Sequence, residues 1–240
     1  MRALKFYGEP VPGVQDQEVP GRLIVLEGPD RVGRSTQIRL LKEWLEDNGF
    51  GVVDTGLTRS ELAGPGIQRA KSGHTLDPVT LNLFYATDFC DRLERLILPS
   101  LRAGMVVLAD RYIFSIIARA GVRGVPVGWL EAVLGFAPIP DRIIYMDADV
   151  EHLLPRTLMR GAFDYWESGQ DFLAIDDPHD SYLEYQRLLR DQFKSLAERH
   201  GFVEVDANQP LGETFKAVLS EVRAVTDNMG SGDSEDGLRE

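Results

Sequence analysis

Two hydrophobic patterns alternate along most of the chain. Short runs of apolar, β-favouring residues occupy positions 23–27, 51–55, 105–109, 142–147 and 202–206. Each run is separated from the next by at least one segment whose apolar residues recur with helical periodicity. This alternation is typical of βαβ units, so the five runs predict an α/β fold with a five-stranded parallel sheet and helices on both faces.

Ligands of such sheets collect at the carboxyl ends of the strands. The polar residues that stand out in this chain fall at those positions. Asp30 and Arg31 follow the first run, Arg59 follows the second, and Asp110 and Arg111 follow the third. We therefore expect these side chains to lie at one edge of the sheet, around a shared ligand site.

The first run leads into a glycine-rich loop. Gly28 is followed after four residues by Gly33, and then by Arg34, Ser35 and Thr36. This spacing matches a phosphate-binding loop, in which backbone N–H groups surround the β-phosphate, a basic side chain reaches the outer phosphates and the hydroxyl ligates Mg²⁺. Because a strand pattern precedes the loop and a helix pattern follows it, the sequence favours a nucleoside triphosphate site over an empty turn. Arg34 stands where lysine is the rule, and the two residues are not interchangeable.

The third run ends in a carboxylate beside a guanidinium. Asp110 in that place can hold Mg²⁺ or its waters, and Arg111 can bind a phosphate with two parallel hydrogen bonds. A surface ion pair at a strand end is the alternative interpretation. The phosphate-binding loop on the neighbouring run favours the functional one.

Composition is that of an ordinary enzyme domain. The 240 residues are 43% hydrophobic and 27% charged, enough for one sizeable core with a lid. The first twenty residues lack a continuous apolar run, and Cys90 is the single cysteine. These features predict a cytoplasmic protein without a membrane segment or an internal disulfide.

The net charge of −12 is concentrated in two segments. Residues 161–181 hold six acids and no Lys or Arg, and residues 227–240 hold five acids and one Arg. An acidic surface argues against a nucleic-acid partner, which needs a basic face. We expect an N-terminal extension over 1–20, one domain over 21–226 with a lid at about 156–180, and a disordered acidic tail over 227–240.

Several of these segments together resemble the thymidylate kinase family of P-loop nucleoside monophosphate kinases. The resemblance covers about residues 21–226, and its matching segments are 26–37, 58–59, 83–86, 110–115, 140–147, 160–161 and 206–211. It implies transfer of the γ-phosphoryl group of ATP to the 5′-phosphate of a nucleotide, with Mg²⁺. It also implies a homodimer, with the helices around 79–103 and 112–121 as plausible contact surfaces.

The resemblance implies a role for each polar residue of the site. The donor phosphates would be bound by Gly28, Gly33, Arg34, Ser35, Thr36 and Arg160. Mg²⁺ would be held by Ser35 and Asp110, and Arg31 would neutralise charge developing on the transferred group. The acceptor would be bound at its phosphate by Arg59 and Arg111, at its sugar by Asp30, and elsewhere by Arg119. Catalysis would then rest on Arg31, Arg34, Asp110 and Arg111.

The departures from the family concern the base of the acceptor. Phe84 occupies the base-stacking helix, but Asp88, one turn on, replaces an arginine that faces the pyrimidine. A carboxylate accepts hydrogen bonds, so Asp88 would suit cytosine or guanine better than thymine. Alternatively, Asp88 pairs with Arg92 on the next turn. Ala120 stands where the family offers a hydrogen-bonding side chain, so we predict that the acceptor is not dTMP, or not dTMP alone.

Two other functions remain open at this stage. The departures at Arg34, Asp88 and Ala120, with Tyr165 in place of a lid arginine, would also fit a catalytically weak relative that binds nucleotide and acts by switching or by contacting a partner. A kinase of another metabolite is the third interpretation, since the fold hosts many acceptors. The candidate magnesium and phosphate ligands are all retained, so we predict activity on a substrate that already carries a phosphate.

Overall fold

The computed structural model describes residues 1–14, 17–73, 76–159 and 163–229. It confirms the predicted five-stranded parallel sheet. A two-residue ribbon, β1 (Arg2–Ala3) with β2 (Glu18–Val19), precedes it. The sheet strands are β3 (Arg22–Glu27), β4 (Val52–Gly56), β5 (Val106–Asp110), β6 (Arg142–Asp147) and β7 (Val203–Asp206). Their order is β4-β5-β3-β6-β7, so β3 is central. Strands β4 and β5 lie on one side of it, and the later strands β6 and β7 lie on the other.

Helices cover both faces of this sheet. They are α1 (Arg34–Asp47), α2 (Gly64–Gly73), α3 (Pro78–Arg92), α4 (Leu98–Arg102), α5 (Ile113–Gly121), α6 (Val127–Val133), α7 (Val150–Leu158), α8 (Pro178–His200) and α9 (Leu211–Thr226). A π-helical turn, Leu93–Ile97, joins α3 to α4. The side chain of Asp177 caps α8 by accepting from the backbone N–H groups of His179 and Asp180.

The core has two layers because successive side chains of a strand point to opposite faces. In β3, Leu23 and Val25 belong to one hydrophobic cluster, and Ile24 and Leu26 belong to the other. All four side chains are fully buried. Both faces of the central strand are therefore covered, as a parallel sheet requires.

The N-terminal extension packs against the same core. Leu4, Val11, Val14 and Val19 are buried in the cluster that contains α5 and α8. The backbone N–H of Gly8 donates to the carbonyl of Gly135 at 2.7 Å. Part of the apolar surface of this layer is thus covered by residues that precede the first sheet strand.

The two acidic segments differ in how much of them is described. Residues 163–177 contain turns and no helix or strand, and they connect to α8. Of the expected tail, residues 230–240 lie outside the described residues. Within the described part of the chain, no helix combines the length and the apolar character needed to cross a membrane.

The packing of the extension generates a stability prediction. Leu4→Ala removes a buried side chain and should lower the free energy of unfolding by about 2–3 kcal/mol, because a cavity replaces lost apolar contacts. Its neighbour Lys5 is exposed, so Lys5→Ala should stay within about 0.5 kcal/mol of wild type. Urea unfolding of the two variants measures both values. Equal, small effects would show that the extension does not contribute to the core.

Candidate active site

A tight loop connects the central strand to the first long helix. Residues 28–33 lie between the end of β3 and the start of α1. Gly28, Arg31 and Gly33 adopt left-handed φ values of 144°, 68° and 107°. A Cβ atom on Gly28 would lie 2.6 Å from the carbonyl oxygen of Met146. Glycine is therefore required there both by the backbone conformation and by the close approach of β6.

Three non-glycine residues in the described chain have left-handed φ values, and all three line the candidate site. They are Arg31 at 68°, Thr58 at 61° and Arg111 at 75°. Each follows the carboxyl end of a sheet strand. Such conformations cost free energy and persist only where the surroundings hold them, so strain is concentrated at this edge of the sheet.

Two clefts open at this edge. The loop cleft is lined by Asp30, Arg31, Gly33, Arg34, Ser35, Thr36, Arg156 and Glu167. The strand-end cleft is lined by Asp30, Arg34, Gly56, Leu57, Thr58, Arg59, Lys71, Tyr85, Asp110, Arg111 and Arg119. Asp30 and Arg34 line both clefts. Ligands in the two clefts would therefore meet at these two side chains.

Arg34 binds the loop that carries it. Its Nη1 donates to the carbonyl of Gly28 at 2.6 Å and to the carbonyl of Pro29, and its Nε donates to Asp110 at 2.9 Å. Among the described residues, its Nη2 has no hydrogen-bond acceptor. This nitrogen is available to donate to an anion, while the rest of the guanidinium braces the loop.

The structure places Asp110 beside Ser35 and Arg34. Its carboxylate accepts from the Ser35 hydroxyl at 2.8 Å and pairs with Arg34. Burial raises the pKa of Asp110, but the Arg34 guanidinium and the Ser35 hydrogen bond outweigh it, so the pKa lies below its usual range. An ionised carboxylate beside a hydroxyl is a donor set that fits Mg²⁺, which prefers oxygen ligands and completes its shell with phosphates and water.

A buried network links the loop to α5. The Asp30 carboxylate accepts from Arg111 and, at 2.5 Å, from Arg119. Burial raises the pKa of Asp30, but these two guanidinium groups hold it well below its usual range. Arg111 also donates to Ser115 at 2.8 Å, and Ser115 donates to the fully buried Glu27 at 2.5 Å. Burial, Arg119 and Arg34 lower the pKa of Arg111 to about 10, so it is cationic at neutral pH.

Arg59, three residues after the end of β4, lines the strand-end cleft. It pairs at 2.8 Å with Asp54, which also pairs with Lys42 at 3.2 Å. All three side chains are at least one-third exposed, so these pairs hold Arg59 only weakly. Arg59 is thus free to turn towards an anion.

Asp88 requires a correction, because the structure places it inside the protein. Its carboxylate accepts from the backbone N–H groups of Thr58 at 3.1 Å and Ser60 at 2.9 Å, and pairs with Arg92 at 3.0 Å. It is fully buried and lines neither cleft. The pair with Arg92 is the alternative that the sequence leaves open. Asp88 therefore holds the segment that carries Arg59, and it does not face a base.

Phe84 also differs from its expected place. It is 38% exposed and lines neither cleft, whereas the next residue, Tyr85, lines the strand-end cleft. One turn after Tyr85 lies Phe89, which is fully buried with its ring centroid 5.0 Å from that of Tyr112. The face of α3 that meets the site is thus shifted by one residue from the face inferred from the sequence.

A third cavity, which we call the aromatic pocket, adjoins the strand-end cleft. The two share Leu57, Lys71, Tyr85 and Arg119, and Trp166 closes part of the pocket. The sequence alone predicts no role for Lys71 or Tyr85. The only signal for Tyr85 was its place beside Phe84, and no local pattern marked Lys71.

The donor side of the site is partly described. Arg160 lies outside the described residues. Arg156, on α7, donates to the carbonyls of Arg31 at 3.2 Å and Val32 at 3.3 Å, and it lines the loop cleft. The Arg31 guanidinium pairs with Glu167 at 3.2 Å. Arg31 from the loop and Arg156 from α7 therefore both line the loop cleft.

The free energy of unfolding of Asp88 variants tests whether this carboxylate is buried in an ion pair. Asp88→Ala leaves the buried Arg92 without its counter-ion, so we expect a loss of about 3–5 kcal/mol in the free energy of unfolding. Thr87→Ala, an exposed change on the same helix, should stay within about 0.5 kcal/mol of wild type. Urea unfolding gives both numbers. A stable Asp88→Ala protein with altered ligand selectivity would return Asp88 to the ligand site.

Comparison with known proteins identifies relatives over most of the chain. The family model described as Thymidylate kinase matches residues 26–218. The chain is 36% identical to "Probable thymidylate kinase 2" of Saccharolobus solfataricus, covering 80% of this chain and 90% of that protein. It is 34% identical to "Probable thymidylate kinase" of Pyrococcus horikoshii, over 74% of this chain and 83% of that protein. It is 32% identical to "Thymidylate kinase" of Clavibacter michiganensis, over 85% and 96%. The protein belongs to the thymidylate kinase family.

Proposed function

We propose that the protein is a nucleoside monophosphate kinase that transfers the γ-phosphoryl group of ATP to the 5′-phosphate of its acceptor. The observation that carries this proposal is the junction of the two clefts at Asp30 and Arg34. The loop cleft offers a phosphate-binding loop to the donor, and the strand-end cleft offers cations to the acceptor. Phosphoryl transfer needs mainly such positioning and charge neutralisation.

The charge of the strand-end cleft suits a phosphorylated acceptor. Its lining includes five cationic side chains and two carboxylates, although the whole chain carries −12. The cations are Arg34, Arg59, Lys71, Arg111 and Arg119. This local excess of positive charge attracts a phosphate dianion, which an unphosphorylated metabolite would not supply.

Mg²⁺ completes the proposed site. Ser35 and Asp110 would hold the ion between them, and bound Mg²⁺ would neutralise charge on the donor phosphates. Arg31 lines the loop cleft together with Ser35 and has a left-handed φ of 68°. We assign it to stabilising charge on the transferred group.

Thymidylate belongs among the proposed acceptors. Asp88 would favour cytosine or guanine only if its carboxylate faced the base. That carboxylate instead accepts hydrogen bonds from Thr58, Ser60 and Arg92. The names of the three relatives cited above also point to thymidylate. Ala120, the second departure, lines the aromatic pocket beside the strand-end cleft and offers no side-chain hydrogen bond there.

We also propose a homodimer. Of the two helical surfaces expected from the sequence to form the contact, only one remains a candidate. Helix α5 has seven of its nine residues buried within the chain, so it is not available to a second copy. The outer face of α3 exposes Val79, Leu83 and Phe84. This face is the remaining candidate for the contact.

A substrate screen tests the function. With ATP and Mg²⁺, we expect steady-state phosphoryl transfer to at least one nucleoside monophosphate, with dTMP among the accepted members, and loss of transfer when Mg²⁺ is chelated. Ribo- and deoxynucleotides of each base make up the panel. Tight ATP binding without transfer to any member would instead identify a catalytically weak, nucleotide-binding relative.

The role of Arg31 has its own test. Arg31→Ala should reduce kcat on the order of 10³-fold, the effect of losing an arginine that stabilises the transition state of phosphoryl transfer. Arg39→Ala is the matched control, because Arg39 is an exposed arginine on α1 that pairs only with Glu43 among the described residues. Its kcat should stay within about twofold of wild type. Equal rates for the two variants would remove Arg31 from the mechanism.

A further inference from the structure

The segment that contains Trp166 is fastened to the aromatic pocket from two sides. On one side, the indole Nε1 of Trp166 donates to the carbonyl of Lys71 at 3.0 Å. On the other, Nη2 of Arg123 donates to the carbonyl of Trp166 at 2.9 Å, and the same guanidinium pairs with Asp171 at 2.6 Å. Trp166 is thus held as a wall of the pocket, between α2 and the end of α5.

The pocket is suited to a flat ring. Tyr85, Trp166 and Tyr185 contribute aromatic surface, and Leu57 and Ile116 contribute aliphatic surface. Pockets of mainly apolar lining with a few polar groups bind planar ligands and orient them through those groups. Because the pocket shares four lining residues with the strand-end cleft, a nucleotide with its phosphate in that cleft would place its base here.

Most polar groups of this pocket are already hydrogen-bonded. Arg123 bonds Asp171, Tyr185 and two backbone carbonyls. Ser115 bonds Glu27, and the Asn82 amide nitrogen donates to the carbonyl of Pro78. Arg119 directs Nη2 to Asp30, which belongs to the strand-end cleft, although its Nε is buried without a partner.

Lys71 differs from these groups. Its Nζ lies 5.8 Å from the centroid of the Trp166 ring, and it lines both the aromatic pocket and the strand-end cleft. Within the described part of the chain, the ammonium has no hydrogen bond and no carboxylate within 4.0 Å. Burial and the neighbouring Arg119 lower the pKa of Lys71. The carboxylates of Asp164, Asp30 and Glu167 oppose this lowering through longer-range attraction. A partly desolvated ammonium without a hydrogen-bond acceptor among the described residues has hydrogen bonds to give to a ligand.

Resting on the proposed function, we propose that Lys71, held beneath Trp166, determines the base specificity of the acceptor by donating to an exocyclic carbonyl oxygen. An ammonium has three donors and no acceptor, so it favours an oxo group and disfavours an amino group at the same position. The site therefore selects oxo bases over their amino counterparts. A site built to donate to one group discriminates strongly against its replacement.

Two pairs of acceptors isolate this contact. Uracil and cytosine differ at position 4, and hypoxanthine and adenine differ at position 6, each by an oxo against an amino group. For dUMP against dCMP, and for dIMP against dAMP, wild type should show the higher kcat/KM with the oxo member. Lys71→Met should lower kcat/KM for the oxo member about 10- to 100-fold more than for the amino member, because both members lose a cation of the strand-end cleft but only the oxo member loses a hydrogen bond.

Three further variants serve as controls. Arg69→Met removes an exposed cation from the same helix and should leave both ratios unchanged. Lys71→Arg keeps a donor and should retain part of the preference. Lys71→Gln is measured beside Lys71→Met, with circular dichroism of each, so that a folding defect in one variant still leaves a test.

Equilibrium binding separates this proposal from the proposed function. Trp166 should report base binding by fluorescence, so the change on adding dUMP should persist in Trp129→Phe and vanish in Trp166→Phe. Lys71→Met should then weaken dUMP binding about 10- to 100-fold. Selective binding without any phosphoryl transfer would overturn the kinase but leave Lys71 in its role. An equal loss for both members of a pair, or a wild-type preference for the amino member, would overturn the assignment of Lys71.

Discussion

Two ion pairs at the Asp30 carboxylate, one with Arg111 and one with Arg119, connect the elements that form the site. Asp30 belongs to the loop after β3, Arg111 follows β5, and Arg119 lies on α5. Neither the loop nor α5 could shift without breaking a buried ion pair, and removing one partner of such a pair is strongly destabilising. Ser115 extends the chain of contacts from Arg111 to the fully buried Glu27. The boundary between the two clefts is therefore fixed before any nucleotide binds.

Arg34 illustrates how one substitution changes the physics of a phosphate-binding loop. A lysine ammonium is a compact charge with three donors, whereas a guanidinium has five donors in a planar fork. Here three of the partners are supplied by the protein itself, namely two loop carbonyls and Asp110. The charge stays at the junction of the clefts, but part of its hydrogen-bonding capacity stabilises the loop. Asp110 accepts from Ser35 as well as from Arg34, so the same carboxylate joins the loop guanidinium to the hydroxyl at the start of α1.

The strands, the loop and the carboxylate at the end of β5 could all be predicted from sequence, because each depends on a short local pattern. Five apolar runs, one glycine spacing and one Asp-Arg pair sufficed. The inward face of α3 could not be predicted in this way. Adjacent helical residues such as Phe84 and Tyr85 point about 100° apart, so a shift of one position exchanges a half-exposed ring for one in the cleft. Choosing between them requires knowing which side of the helix meets the sheet.

Asp88 and Lys71 show the same limit for charged side chains. The i,i+4 spacing of Asp88 and Arg92 allows an ion pair, but only tertiary packing buries it and adds the backbone donors of Thr58 and Ser60. Lys71 gains its position from the way the end of α2 meets Trp166, which lies 95 residues further along the chain. Contacts of that separation leave no periodic signal. The domain limits and the individual site roles likewise stay predictions, since they depend on ligands and on motion.

The acidic segment, which from composition alone would oppose a polyphosphate, has a different electrostatic meaning in the folded chain. Glu167 pairs with Arg31, and Asp171 pairs with Arg123, so these acids compensate arginines of the site. Burial and the nearby Asp30 raise the pKa of Glu167, which shows that its charge is poorly accommodated where it lies. A phosphate that binds Arg31 competes with Glu167 for the same guanidinium, and the stronger charge of the phosphate favours the exchange. Donor binding would then release Glu167 while Trp166, held by Lys71 and Arg123, stays over the aromatic pocket. Within this acidic segment, Glu167 would thus be displaced by a phosphate at Arg31, whereas Asp171 would keep its pair with Arg123.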